Sequence, residues 1–272
     1  MISMNANSSE HDVSVSIVRE PRVYLVGSQT TDDREIDRFL ADHGVDKWST
    51  DTEIAGQKLV EIAGRLCYMS FAKPRPGGNS AYIEHILEVG HGSVLEHAVF
   101  NLIFTGVSRS FTHELIRHRA GMGYSQLSQR FVDESTCEFV EPEPIAADPE
   151  LHAIWLESVA ASQRAYRALA DGLNSKFKHI EDKTLRRKKA REAARSVLPN
   201  ATETKIFVTG NARAFRHFIE LRGDAAADAE IRKVAVLTLE VLRAHSPNLF
   251  GDYQIHNLDD GGRSTSTQYH KV

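Results

Sequence analysis

The residues best suited to chemistry lie in one segment, between Arg117 and Phe131. This segment opens with three consecutive residues that are cationic or nearly so, Arg117, His118 and Arg119, where a stretch of helical spacing should end. Cations at a helix C-terminus meet the negative end of the helix dipole, so the run by itself is typical of an ordinary helix end. If the helix continued, successive side chains would point about 100° apart, and the three could not share one solvent direction.

The residues that follow change this interpretation. In an extended chain Gln126, Ser128 and Arg130 would lie on one side, because side chains alternate along a strand. A hydroxyl and a guanidinium two residues apart can bind a phosphate, and an amide beside them can pair with a base or a flavin edge. Leu127 and Phe131 would supply apolar contacts. The segment therefore predicts a site that binds a phosphate and an amide edge.

A basic helix is predicted over residues 183–197. Arg187, Arg191 and Arg195 recur along it every four residues, and most of this charge is expected to be solvated. A nucleic-acid patch over residues 183–191 is disfavoured, because base-stacking aromatic residues are absent nearby.

The predicted helix that ends at Arg222 has two distinct faces. Arg213 and His217 are four residues apart on one face, and Phe215, Phe218 and Arg222 follow a stripe on another. Arg222 therefore ends an apolar face. By composition alone it is a C-terminal helix cation.

A few short strands and many helices must position these residues. Strands are predicted at residues 23–27, 98–105 and 204–209, and helices at residues 57–71, 79–89, 107–117, 150–173, 183–197, 212–222 and 226–245. Asn79 is the predicted cap of the second helix, and the chain after Pro247 is expected to be irregular. The pattern predicts an α+β fold, a small antiparallel sheet flanked by many helices, with residues 1–19 as a flexible N-terminal tail and residues 20–272 as a single domain.

Composition excludes several classes of protein. Of the 272 residues, 41% are hydrophobic and 26% are charged, which is ordinary globular usage and argues against long disorder. No apolar run reaches the roughly eighteen residues of a membrane helix, and residues 1–19 lack the apolar middle of a secretory signal, so a cytoplasmic protein without membrane contact is expected. A net charge of -4 predicts no general affinity for nucleic acid.

The two cysteines, Cys67 and Cys137, have no Cys-x-x-Cys pairing and offer neither a disulfide framework nor a zinc cluster. Cys67 follows Leu59, Ile62, Ala63 and Leu66 at helical spacing and is predicted to face the core. Cys137 lies among acidic residues, whose charge would oppose thiolate formation. Neither cysteine is therefore a suitable nucleophile.

The segment from Arg117 to Phe131 resembles the signature of the flavin-dependent thymidylate synthases, in which Arg-His-Arg is followed at short range by Ser and then by Arg with an aromatic residue. Residues 90–97, 108–119 and 211–213 are also similar to segments of that family, and the resemblance extends roughly over residues 59–232. This chain has one residue more than the commonest family spacing between Arg119 and Ser128. It also has Phe131 in place of the usual tyrosine and lacks a histidine that the family often has near Ala226.

The resemblance assigns a role to individual residues. It implies that FAD is bound by His91, Ser93, Arg117, His118, Arg119, Gln126, Asn211, Arg213 and His217. It implies that dUMP is bound by Glu114, Arg117, Gln126, Leu127, Ser128, Gln129, Arg130, Arg195 and Arg222. Arg222 would be the catalytic residue, because a fixed positive charge beside N3 and O4 of the uracil lowers the N3 pKa and stabilises the anionic ring.

The same resemblance implies the reaction and the assembly. The reaction would be the reductive methylation of dUMP to dTMP, with 5,10-methylenetetrahydrofolate as the carbon donor and NADPH as the reductant by way of FAD. The assembly would be a homotetramer whose active sites are shared between subunits. No metal is implied.

Three alternatives compete with this interpretation. A cysteine-dependent thymidylate synthase needs an accessible thiolate, which neither cysteine offers. A non-catalytic flavoprotein or nucleotide-binding module would show no dependence of NADPH oxidation on dUMP. A metal hydrolase is disfavoured because His91 and His97 are six residues apart and lack the His-Glu-x-x-His spacing.

Overall fold

The computed structural model describes residues 15–45, 48–73 and 76–272. Its strands are β1 Ser16–Val18, β2 Arg22–Ser28, β3 Val99–Ser108, β4 Met122–Gln126, β5 Glu138–Val140, β6 Glu203–Asn211, β7 Gln254–Asn257 and β8 Arg263–Ser266. Its α-helices are α1 Asp33–Asp42, α2 Ala55–Leu66, α3 Gly78–Glu88, α4 Arg109–Leu115, α5 Glu143–Ala146, α6 Pro149–Lys176, α7 Lys183–Ala194, α8 Ala212–Arg222, α9 Ala229–His245 and α10 Pro247–Phe250, with short 3-10 helices at Gly92–His97 and Arg195–Val197.

Contacts within the chain group its residues into two compact units. The larger unit comprises Glu20–Gln126 and Thr204–Val272, and the smaller unit comprises Leu127–Glu203 with the described part of Met1–Arg19. One boundary coincides with the predicted start of the domain at residue 20. The prediction of one domain over residues 20–272 stays a prediction. Of the predicted tail, residues 1–14 lie outside the described residues, whereas Ser16–Val18 form strand β1.

The larger unit is built on a four-stranded sheet in the order β2, β3, β6, β4. The β2–β3 and β4–β6 pairs are antiparallel. Strand β3 alternates buried and partly exposed residues along most of its length, as a strand with one face on the core should. Its Phe100, Leu102 and Phe104 lie in the main core with Phe215 and Phe218 of α8. The sheet and α8 therefore pack against each other in one core.

Helix α8 begins and ends where the sequence predicts, at Ala212 and Arg222. The Asn211 side chain accepts a hydrogen bond from the Ala214 N–H at 2.9 Å, which caps the first turn. The apolar stripe is confirmed, since Phe215 and Phe218 are fully buried. Arg222 therefore stands at the end of a helix that is fixed at its start and along one face.

The smaller unit consists mainly of the long helix α6 and the basic helix α7. Asp148 caps the first turn of α6 and Asp182 that of α7, because each side chain accepts hydrogen bonds from backbone N–H groups. Strand β1 pairs in parallel with β5, and Phe139 of β5 packs with Val159 of α6 in a separate small core. No helix among the described residues is long and apolar enough to cross a membrane.

Helix α2 contradicts the predicted position of Cys67. The buried face of this helix carries Gln57, Glu61 and Arg65 beside Val60, whereas Cys67 lies past the end of the helix and is exposed. Glu61 accepts a hydrogen bond from Arg65 at 2.8 Å inside the protein. The prediction was wrong because this helix buries a paired polar network instead of its most apolar stripe.

Asn79 is not the cap of α3, because the capping position is Gly77 and Asn79 is buried in the first turn. Its side-chain amide donates to Glu61 at 2.8 Å and so completes the same polar network. The chain after Pro247 is also more regular than predicted, since it forms α10 and the antiparallel pair of β7 and β8. Few apolar residues mark those two strands, which hides them from a periodicity argument.

Candidate active site

Helix α4 leads directly into the Arg-His-Arg run and is fixed at its start. Ser108 caps this helix by accepting the Phe111 N–H at 3.0 Å. The Ser108 hydroxyl and N–H donate in turn to the two carboxylate oxygens of Glu230, at 2.6 and 2.7 Å. Burial raises the pKa of Glu230. A carboxylate from α9 therefore fixes the start of α4. The position of α4 in turn fixes that of the Arg-His-Arg run, which follows it.

The chain turns sharply after the Arg-His-Arg run. The Met122 N–H donates to the Arg119 carbonyl at 3.2 Å, and Gly121 has a φ of +70°, which an L-residue rarely adopts. A Cβ on Gly121 would lie 2.6 Å from the Asn211 side-chain nitrogen. Gly121 therefore allows a tight turn against the start of α8. Gly123 pairs regularly with Thr209 and forms no bulge.

Tyr124 holds this turn from the adjacent strand. Its hydroxyl donates to the carbonyl oxygens of His118 and Leu115, the latter at 3.1 Å. Burial raises the pKa of Tyr124 to about 12, so the phenol keeps its proton at neutral pH. The backbone of His118 is thus fixed by a donor that sequence reasoning did not single out, although it lies inside the signature segment.

Arg222 is held by two partners, one on α4 and one in the Arg-His-Arg run. Its Nη1 donates to the Glu114 carboxylate at 2.7 Å, and its Nε donates to His118 Nε2 at 3.1 Å. The side chain of Arg222 is 20% exposed and that of Glu114 is 33% exposed. Two of the three guanidinium nitrogens are therefore used to set its direction, and part of the cation remains accessible.

His118 must be neutral in this arrangement. Arginine can only donate, so His118 Nε2 has to accept and the ring proton has to reside on Nδ1. Burial, together with the positive charge of Arg222 and the nearby His217, lowers the pKa of His118 from 6.5 to about 4. Its ring lies 5.7 Å from the ring of His217 and 5.4 Å from that of Phe218. His118 thus serves as a neutral acceptor that orients Arg222 without adding charge.

A cavity of about 610 Å³ opens beside this pair within the larger unit. Its lining combines cationic donors and small apolar groups from Arg117, His118, Arg119, Ala120, Ala214, His217, Leu221 and Arg222. Arg117 and Arg119 are exposed, and neither side chain has a polar partner among the described residues. Free guanidiniums beside an apolar wall suit a ligand with anionic groups and a flat ring. The donor set therefore fits a flavin nucleotide.

Four of the other predicted FAD residues lie on exposed or partly exposed surface of the same unit. His91 and Ser93 flank the buried Gly92, where an added Cβ would lie 3.0 Å from Arg213 Nε. Arg213 pairs with Glu96 at 2.6 Å. Asn211 caps α8. The structure thus places the loop that carries His91 and Ser93 against Arg213, but outside the lining of the cavity.

The extended conformation predicted for residues 126–130 is only partly correct. Strand β4 ends at Gln126, and the Ser128 carbonyl accepts the N–H groups of Phe131 and Val132, which starts a turn. The Gln126 amide donates to Thr112 at 3.1 Å and to Thr204 at 3.4 Å. Alternation therefore stops before Ser128, because local backbone hydrogen bonds replace the strand ladder there.

The remaining predicted substrate residues belong to the smaller unit. Gln129 is buried, Leu127, Ser128 and Arg130 are partly buried, and Arg195 stands at the end of α7. Arg130 forms an ion pair with Glu192 of α7 at 2.7 Å. The guanidinium of Arg195 has no polar partner within the described part of the chain.

Sequence reasoning missed the residues that support the site. Glu230 is 122 positions from Ser108, and a lone glutamate in an amphipathic helix gives no signal of such a contact. Ala120, Ala214 and Leu221 also line the cavity, yet isolated apolar residues in a turn or on a helix give no signal of a ligand site.

Comparison with known proteins places the chain in a family. Residues 50–248 match the family model described as "Thymidylate synthase complementing protein". Among individual relatives, a flavin-dependent thymidylate synthase from Mycobacteroides abscessus is 52% identical over 225 residues, covering 82% of this chain and 89% of the relative. The enzyme of the same name from Corynebacterium efficiens is 47% identical over 224 residues, covering 82% and 89%.

The fold is shared with a solved structure of lower sequence identity. A UMP/dUMP methylase from Streptomyces cacaoi, crystallised with 5-Br dUMP, aligns with a TM-score of 0.61 at 20% identity, covering 87% of this chain and 96% of the other. At this identity the likeness confirms the predicted α+β fold class and carries nothing further. The match of the family model and the close relatives confirm the resemblance noted in the sequence. The chain belongs to the thymidylate synthase complementing protein family, that of the flavin-dependent thymidylate synthases.

Proposed function

We propose that this protein converts dUMP to dTMP, taking its carbon from 5,10-methylenetetrahydrofolate and its reducing equivalents from NADPH through FAD. Family membership supports the reaction. The structural observation that carries the proposal is the fixed guanidinium of Arg222 at the edge of a cationic cavity. Such a group can stabilise negative charge that develops on a bound ring.

Arg222 is the proposed catalytic residue. A guanidinium beside N3 and O4 of the uracil favours the anionic ring and makes C5 more nucleophilic. Glu114 and His118 hold the guanidinium in one direction, so little reorganisation is needed when charge develops. His118 is neutral and adds no charge, and Glu114 offsets one of the three positive charges of Arg117, Arg119 and Arg222, so the surroundings of the cavity remain net cationic.

We assign FAD to Arg117, His118, Arg119 and His217 of the cavity, together with His91, Ser93, Gln126, Asn211 and Arg213. Bound FAD would supply the hydride that turns the transferred methylene into a methyl group. The two arginines without polar partners among the described residues would pair with its phosphates. His91 lies between Gly90 and Gly92, so the backbone there would approach the flavin closely, and the exposed Ser93 follows directly.

We assign the phosphate of dUMP to Ser128, Arg130 and Arg195 of the smaller unit. Two arginines and a hydroxyl are a suitable set for a phosphate dianion. Leu127, Gln129 and Gln126 would complete the contacts to the nucleotide, and we also assign Glu114 and Arg117 to dUMP. The assembly that goes with this assignment is a homotetramer with shared active sites, located in the cytoplasm.

The experiment that tests this function measures dTMP formation and dUMP-dependent NADPH oxidation. The wild-type protein should carry bound flavin and turn over only when dUMP and methylenetetrahydrofolate are both present. Arg222→Ala should keep the flavin and lower turnover by roughly a thousandfold, the upper end for removal of one preorganised donor. Arg38→Ala, an exposed arginine on α1, is the matched control and should behave as wild type. Full turnover by Arg222→Ala would overturn the assignment.

A further inference from the structure

The segment Gln129–Asp133 is fastened to helix α7 by several independent contacts. Arg191 donates to the Phe131 carbonyl at 2.7 Å and to the Asp133 carboxylate at 2.8 Å. The Lys188 ammonium lies 4.6 Å from the centre of the Phe131 ring, within the range of a cation–π interaction. Arg130, between these anchored residues and Ser128, is therefore held close to α7.

Within this fixed segment, Arg130 pairs with a carboxylate of the same chain, that of Glu192. Its Nη2 lies 2.7 Å from Glu192 Oε2, and both side chains are well exposed, at 40% and 48%. The Nε of Arg130 and the side-chain nitrogen of the buried Gln129 are shielded from solvent and have no acceptor among the described residues. Buried donors without acceptors are uncommon in folded proteins, so Arg130 Nε lacks an acceptor that a ligand could supply.

We propose that Glu192 occupies the place of the dUMP phosphate at Arg130 and is displaced when the nucleotide binds. The inference rests on the proposed function. A phosphate offers more acceptor oxygens than a carboxylate and could satisfy Arg130 Nε as well as Nη2. An exposed ion pair is weak and is readily exchanged. Glu192 thus sets the affinity of the substrate site for the phosphate group and takes no part in the chemistry.

Glu192→Gln in the flavin-loaded protein tests the exchange. Removal of the competing carboxylate should lower the Kd for dUMP by roughly two- to fivefold, the range expected for an exposed pair, with kcat unchanged. The inhibition constant of inorganic phosphate, used as a competitor of dUMP, should fall by a similar factor. An effect on kcat with no change in Kd is what a merely structural role would give, and it would overturn the proposal.

Two further variants distinguish loss of the Glu192–Arg130 contact from a general loss of negative charge in the smaller unit. Glu157→Gln removes one exposed carboxylate from α6 of the same unit and should leave the Kd for dUMP at the wild-type value. Glu192→Asp keeps the charge but withdraws it by one methylene, so its Kd should move towards that of Glu192→Gln. Equal tightening by Glu157→Gln, or no change in Glu192→Asp, would contradict displacement of a contact. Failure of wild type to bind any dUMP would instead refute the proposed function.

Discussion

Arg222 and Arg130 each face a carboxylate at 2.7 Å, yet their surroundings differ in kind. Arg222 is mostly shielded, and a neutral histidine accepts from its Nε. Arg130 is 40% exposed, and its Nε has no acceptor within the described residues. A cation with two fixed partners keeps its direction, whereas one held by an exposed carboxylate can change partner. We therefore expect the first pair to control turnover and the second to control binding.

Among the variants that test this difference between the two pairs, Glu114→Ala should have the largest effect, which is on turnover. Loss of this carboxylate frees Arg222 Nη1 and lets the guanidinium move, and misplacement of a reacting group by about 1 Å can cost a hundredfold in rate. We expect kcat to fall by roughly ten- to a hundredfold, with a smaller change in the Kd for dUMP. Steady-state kinetics and dUMP titration measure the two separately.

Glu35→Ala on α1 is the control for this change, because its carboxylate is 66% exposed and pairs only at the surface with Arg38. It should leave both constants unchanged. A Glu114→Ala protein that loses affinity for dUMP but keeps its kcat would contradict the claim that the Arg222–Glu114 pair controls turnover.

A smaller effect should appear as a pH dependence of stability through His118. The folded protein holds the pKa of His118 at about 4, whereas the unfolded chain titrates near 6.5. The unfolded state therefore takes up the proton first as pH falls, so stability from this residue is complete above pH 6.5 and is lost between pH 6.5 and 4. At pH 5 the loss should be on the order of 2 kcal/mol.

Urea unfolding of wild type and His118→Asn at pH 7.5 and pH 5.0 isolates this contribution, because the other titrating groups are common to both proteins. The wild type should lose more stability than the variant between the two pH values. Equal losses would mean that His118 is not a neutral acceptor of Arg222.

The smallest effect should come from removing both thiols. Burial, with the nearby charge of Glu134, raises the pKa of Cys137 to about 12, and Cys67 lies past the end of α2, outside the cavity lining. Neither arginine pair involves sulfur, so Cys67→Ala, Cys137→Ala should retain dTMP formation within about twofold of wild type. Loss of activity with the fold intact would favour a cysteine-dependent reaction instead.

Local signals in the sequence were enough to predict α8 and the signature region. Asn211 before the helix and Gly223 after it mark its ends, and the apolar stripe through Phe215 and Phe218 fixes its buried face. Those signals depend only on residues close together in sequence, so they can be recognised without knowing the tertiary structure. Arg117, Arg119, His217 and Arg222 line one cavity, whereas the roles that the family resemblance assigns to them stay predictions.

Contacts between distant residues could not be predicted in this way. Glu230 and Ser108 are far apart in sequence, as are Arg222 and His118, and each pair meets only because the sheet and helices pack together. Cys67 was placed wrongly for the same reason, since the polar network of Glu61, Arg65 and Asn79 determines which face of α2 is buried.

The most direct test of the central claim is the protonation state of N3 in dUMP bound to the flavin-loaded protein. A titration of ¹⁵N3-labelled dUMP by NMR would follow it in wild type and in Arg222→Ala. If the guanidinium of Arg222 polarises the uracil, the N3 pKa should be lower in the wild-type complex than in free dUMP and should return towards the free value in the variant. An N3 pKa that is the same in both complexes would contradict the role given to Arg222.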